Sequence, residues 1–100
     1  MLKELIPPEA GPDDPLWTTT IMTYELGSVV RALVRRRVKL IYGDDKGARA
    51  YEAEAKIELA DLLTQCYVLA EQMGWKRIDL ENDGKERFEE RMREIEEGVL

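Results

Sequence analysis

Histidine is missing from all 100 residues of the chain, serine occurs once, as Ser28, and cysteine once, as Cys66. Ser-His-Asp and Cys-His catalysis are therefore excluded within one chain, as are His-ligated zinc sites. A lone cysteine forms neither an intrachain disulfide nor a CxxC motif, and Cys66, between Leu62 and Leu69 at core spacing, reads as a buried structural thiol. There is no run of about 18 apolar residues, so no segment reads as spanning a membrane. The N-terminus, Met1 to Ile6, is too short and too acidic for a signal peptide, which points to a cytoplasmic protein. A Gly-rich phosphate loop, an internal repeat and strand signals are absent as well. Carboxylate chemistry is what remains.

A hydrophobic content of 44% with 36% charged residues describes one small globular domain rather than a disordered chain. The net charge of −6 argues against nonspecific nucleic-acid binding. Against that background Arg31, Arg35, Arg36, Arg37 and Lys39 form a local basic cluster. It falls in the second half of an expected helix, where cations offset the negative end of the helix dipole. Phosphate contact by Arg31 or Arg35 is the functional alternative.

Residues 1–14 carry Pro7, Pro8, Gly11, Pro12, Asp13 and Asp14, a composition that resists both helix and ladder, and read as an extended arm packing through Leu5 and Ile6. Residues 15–100 read as an all-α domain. Asp14-Pro15 is an N-cap followed by a proline at the first helical position, and the apolar spacing of Met22, Leu26, Val29, Val30, Leu33 and Leu40 predicts a first helix over 16–42, stopped by Gly43. Gly27 inside it suggests a close packing contact or a bend. A second helix is expected from about 45–47 to Met73, closed by Gly74, with a seam of Leu59, Leu62, Cys66, Leu69 and Met73 and room for a kink at 50–54. A last helix is expected over 83–97, with Phe88, Met92 and Ile95 on one side. The result is a small helical bundle of two long antiparallel helices plus a C-terminal helix. Apolar positions such as Val30, Val34, Ile41, Leu62 and Leu69 exceed what one seam covers in so short a chain, so oligomerisation is expected to complete it.

Glu58 and Asp61 stand three residues apart in the apolar stretch Ile57-Glu58-Leu59-Ala60-Asp61-Leu62-Leu63, which places both acids on one helix face. Glu25 sits similarly between Met22 and Val29 on the first helix. Buried unpaired carboxylates cost several kcal/mol, so a fold that keeps them together invites a neutralising cation. Three converging carboxylates form the hard, all-oxygen environment that Mg²⁺ or Mn²⁺ prefers. Glu54, four residues before Glu58 on the same face, is a further candidate ligand, set against its plainer reading as a solvated surface acid.

Tyr24-Glu25-Leu26-Gly27-Ser28, then Ile57 to Leu63 and Leu69-Ala70-Glu71-Gln72-Met73-Gly74, resembles the MazG-like nucleoside triphosphate pyrophosphohydrolases over about residues 20–97. That all-α family carries ExxE on one helix and ExxD on the next. Glu58 and Asp61 match the second motif. In the first, Glu25 matches the leading acid, whereas Ser28 stands where the second Glu is expected and Tyr24 where an acid often precedes the motif. The resemblance implies Mg²⁺ held by Glu25, Glu58 and Asp61, with Ser28 at the vacated ligand position, and hydrolysis of a nucleoside triphosphate to monophosphate and pyrophosphate. It also matches Arg87-Phe88 to the family's basic-aromatic pair, a phosphate contact; the oligomer expected from the apolar surplus is a homodimer or a homotetramer, between which the sequence does not choose. The rival readings are a noncatalytic helical oligomerisation or regulatory module, favoured by Ser28, and a partner-binding bundle that takes neither metal nor nucleotide.

Overall fold

The computed structural model describes residues 11–98, which form three α-helices: α1 (Pro15–Ile41), α2 (Asp45–Met73) and α3 (Arg77–Glu96). The N-terminal arm lies outside the described residues up to position 10; the part described, Gly11 to Asp14, is a turn closed by the Asp14 N–H on the Gly11 carbonyl at 2.9 Å. Asp14 then caps α1, accepting from the Leu16 N–H at 2.8 Å, with Pro15 supplying the preset φ of the first helical turn.

Both long helices end on a left-handed glycine. Gly43 and Gly74 each sit at φ 73°, a conformation that penalises any Cβ. The chain therefore reverses within a few residues after Ile41, and Asp44 recaps it as α2 by accepting from the Gly47 N–H at 2.9 Å. A side chain at Gly47 would collide with the Asp44 carboxylate and crowd Lys39, so position 47 is restricted by the cap itself.

So short a reversal makes α1 and α2 an antiparallel pair. Rungs along its length fix the register. Thr18 Oγ1 donates to Gln72 Oε1 at 2.8 Å, and Gln72 Nε2 donates onward to the Pro12 carbonyl at 3.0 Å. Near the other end Arg36 and Glu52 form an ion pair at 3.6 Å, too long for a hydrogen bond, and the Arg35 guanidinium lies 5.9 Å from the Tyr51 ring centre. Among the described residues, those fully buried are Ala32, Ala48, Ala55, Ala70 and Thr18. Small residues at these positions let the two backbones approach closely, and the large apolar side chains are left at the edges and on the outer faces.

Several expectations change accordingly. The stripe around Glu58 and Asp61 is not buried within one chain: Ile57 is 63% exposed and Leu59 55%. Leu62, Cys66 and Leu69 are half-buried toward α1, while Met73 is exposed; Cys66 is therefore not a fully buried thiol. The segment 50–54 continues α2 without a break, because Ala48 and Ala55 are the tightly packed positions of that half. Gly27 makes no close contact, since a Cβ built there meets nothing within 4 Å. Gly27→Ala is accordingly expected to stabilise α1 by about 0.5–1 kcal/mol in the single chain, read as a higher melting midpoint by circular dichroism. A lower midpoint would place another chain's backbone against Gly27.

The third helix begins at Arg77, six residues before the expected Asp83. Lys76 at its N-cap makes no side-chain capping bond, so the usual start signal is lacking. The first turn is held instead by α2: Arg77 stacks 4.1 Å from the Tyr67 ring centre, and the Tyr67 hydroxyl donates to Glu81 Oε1 at 3.2 Å. That bond and the Glu81 charge raise the Tyr67 pKa. Beyond this hinge α3 packs on neither long helix and buries no residue. The molecule is correspondingly open, with a radius of gyration of 17.4 Å, against roughly 13 Å for a compact chain of this length. No helix among the described residues is long and apolar enough to cross a membrane.

Candidate metal centre

The antiparallel register decides which acids meet. Measured from the Thr18–Gln72 rung at roughly 1.5 Å per residue, Glu25 lies roughly 10 Å along α1, and Asp61 and Glu58 lie roughly 16 and 21 Å back along α2. Glu25 is therefore nearer in level to Asp61 than to Glu58. Ser28, at roughly 15 Å, is level with Asp61.

Glu25 is half-buried on the face of α1 that carries Ala32, and its Oε2 is shielded from solvent with no hydrogen-bond partner among the described residues. Its pKa is raised, first by desolvation and then by the charges of Asp61 and Glu58. The structure thus brings the three acids within reach of one another's charge. Glu58 is half-buried, and Asp61, expected on a buried stripe, is exposed at the edge of the pair. Among the described residues no three acidic, cysteine or histidine side chains close into a metal cage. The axial spread accounts for this: three acids distributed over about two helical turns do not point at one centre.

That arrangement fits Mg²⁺ as a shared site rather than an all-protein cage. Mg²⁺ is commonly held by one or two carboxylates, waters and substrate phosphates. The donor set is all oxygen, and Glu25 Oε2 accepts no hydrogen bond among the described residues.

The remaining expected residues fall outside this cluster. Glu54 is exposed beside the Arg36–Glu52 rung, away from Glu25. Ser28 Oγ is occupied in donating to the Tyr24 carbonyl at 3.1 Å, one turn back on its own helix. Arg31 is exposed, and Arg35 is exposed against Tyr51. Arg87 and Phe88 border a shallow hollow on α3 with Glu90, Arg91 and Glu94. Arg87 sits ten residues beyond the Tyr67 hinge, roughly 15 Å along a helix that packs on neither α1 nor α2, so the single chain does not bring it to the acids. Of Thr18 and Gln72, which align the two helices, Gln72 was marked in the sequence only as part of the Leu69–Gly74 stretch, and Thr18 carried no site signal.

Glu25 and Asp44 give the chain two opposed pH responses. The raised Glu25 favours the protonated folded state, so its contribution to stability is full below its ordinary 4.5 and is lost as pH rises through the raised value. Asp44 is lowered, first by the Gly47 N–H, so its contribution is present above its ordinary 3.8 and is lost as pH falls through the depressed value. Metal-free protein is therefore expected to melt higher near pH 5 than near pH 7, and Glu25→Gln is expected to remove that difference. A thermal melt series on both proteins checks it, and an unchanged slope in the variant would contradict the assignment to Glu25.

No protein-family model, curated protein or solved structure matches the chain, so the candidate centre rests on its own geometry and charge.

Proposed function

We propose that the chain is a MazG-like, Mg²⁺-dependent pyrophosphohydrolase that cleaves a nucleoside triphosphate to the monophosphate and pyrophosphate, acting as a homodimer or homotetramer. The observation that carries the reading is the solvent-shielded, unpartnered Oε2 of Glu25, facing the charges of Asp61 and Glu58 across the α1–α2 pair.

Mg²⁺, or Mn²⁺, when bound, supplies charge neutralisation to the triphosphate, the principal requirement of phosphoryl chemistry. Glu25, Glu58 and Asp61 would hold it, and their spread along the pair leaves coordination positions for phosphate oxygens and water. Hydrolysis attaches water oxygen to the α-phosphorus, breaks its bond to the bridging oxygen and releases pyrophosphate. The proton given up by the attacking water passes to solvent, and the bridging oxygen leaves with the pyrophosphate.

The oligomer is supported by what one chain leaves open. Among the described residues a core of four alanines and one threonine buries little apolar surface, and Leu26, Val30, Val34 and Ile41 on α1 are all exposed. The alternative of a noncatalytic oligomerisation or regulatory module is favoured by Ser28 and by the absence of a closed three-acid cage among the described residues. Pyrophosphate release measured over a panel of nucleoside triphosphates with Mg²⁺ separates the two. Turnover of any member above a metal-free control supports hydrolysis, and none across the panel supports the module.

A further inference from the structure

Two amphipathic faces of this chain have no partner among the described residues. On α3, Ile78, Phe88, Met92 and Ile95 share one side, and Phe88 is 64% exposed. On α1, Leu26, Val30, Leu33, Val34 and Ile41 form a stripe turned away from Ala32 and hence from α2. The stripes match in length, since Leu26 to Ile41 spans roughly 22 Å and Ile78 to Ile95 roughly 25 Å of helix. They also differ in charge. The α1 helix carries five cations, Arg31, Arg35, Arg36, Arg37 and Lys39, against Glu25 alone, whereas α3 carries eight acids against five cations.

The α3 helix does not reach its own α1. The connector is only Gly74 to Lys76, and the Tyr67 contacts to Arg77 and Glu81 hold the first turn at the end of α2. We infer that α3 of one copy lies along the outer face of α1 of a second copy, and reciprocally, so that exchange of the third helix closes a two-fold dimer. The operation is isologous, since each chain gives and receives the same helix. Phe88, Met92 and Ile95 would enter the α1 stripe, and the acids Glu89 and Glu96 bordering them would face Arg31 and Arg37. The proposal specifies the surface of the self-association advanced above and stands apart from the nucleotide chemistry.

The test uses the full chain in sedimentation velocity at micromolar concentration. The parent should self-associate. Phe88→Asp with Met92→Asp should give a smaller species with unchanged helicity, because α3 buries nothing in its own chain. Arg31→Glu with Arg37→Glu, and separately Glu89→Arg with Glu96→Arg, should each weaken assembly. An equimolar mixture of these two charge variants should form mixed dimers at least about tenfold tighter than either variant alone, since both reciprocal contacts are then restored. Undiminished assembly in the first charge variant would assign the interface to α3 against α3, and in the second to α1 against α1. Either result overturns the exchange while leaving the oligomer intact. A monomeric parent would remove self-association altogether.

Discussion

Asp61→Ala is expected to weaken Mg²⁺ or Mn²⁺ binding by well over tenfold and to abolish pyrophosphate release, with little change in helicity. Removal of even an outer partner of a metal ligand costs about 10- to 100-fold in affinity, so loss of a ligand itself costs at least as much. Asp61 is exposed, and alanine has a higher helix propensity than aspartate, so the fold has no reason to suffer. Its charge is the larger of the two raising the Glu25 pKa, and its removal should let Glu25 ionise more readily. Glu58→Ala should act in the same direction on metal and leave a larger residual coupling at Glu25. Calorimetric metal titration of both variants measures this, and parental affinity in either would put the centre elsewhere.

Ser28→Glu is expected to produce the opposite change. In the register set by Thr18–Gln72, position 28 is level with Asp61, whereas Glu25 is roughly one turn short of it. A carboxylate at 28 would therefore fill the gap that leaves the three acids without a common centre. Metal affinity should rise by about tenfold or more as a fourth hard oxygen donor joins the set. The metal-free variant should melt lower, because a further negative charge near three others costs on the order of 1–2 kcal/mol, about 5–10 °C in a domain of this size. The serine gives up only a bond to Tyr24 on its own helix. Opposed shifts in metal affinity and metal-free melting temperature identify position 28 as facing the centre; unchanged affinity would withdraw the correspondence with the ExxE motif.

The ends of the long helices were legible because the signals are local. Asp14-Pro15 at one end and Gly43 and Gly74 at the others act through their own backbone geometry. The start of α3 was not, because Lys76 offers no capping side chain and the helix is held by Tyr67, ten residues away. The core was misread for a related reason. Apolar periodicity weights Leu, Val and Met and marked the half-buried Leu62 and Leu69, while the most deeply buried positions of the α1–α2 contact are alanines, which periodicity reads as neutral spacers. In the candidate centre, spacing within each helix placed Glu58 beside Asp61, but the level at which Glu25 meets them depends on the Thr18–Gln72 rung, a contact across the fold with no sequence pattern. The half-buried state of Glu25 was readable from its apolar neighbours, and the exposure of Asp61 was not, since it follows from which flank of α2 the alanines occupy.

The central claim is that Glu25, Glu58 and Asp61 share a divalent cation with a triphosphate. It is tested most directly by titrating a nonhydrolysable nucleoside triphosphate into the protein calorimetrically, with and without Mg²⁺. Nucleotide is expected to bind at least about tenfold tighter with the ion present, with reciprocal tightening of Mg²⁺ by nucleotide, as linkage requires. Nucleotide affinity indifferent to Mg²⁺, or no binding of either, would contradict it.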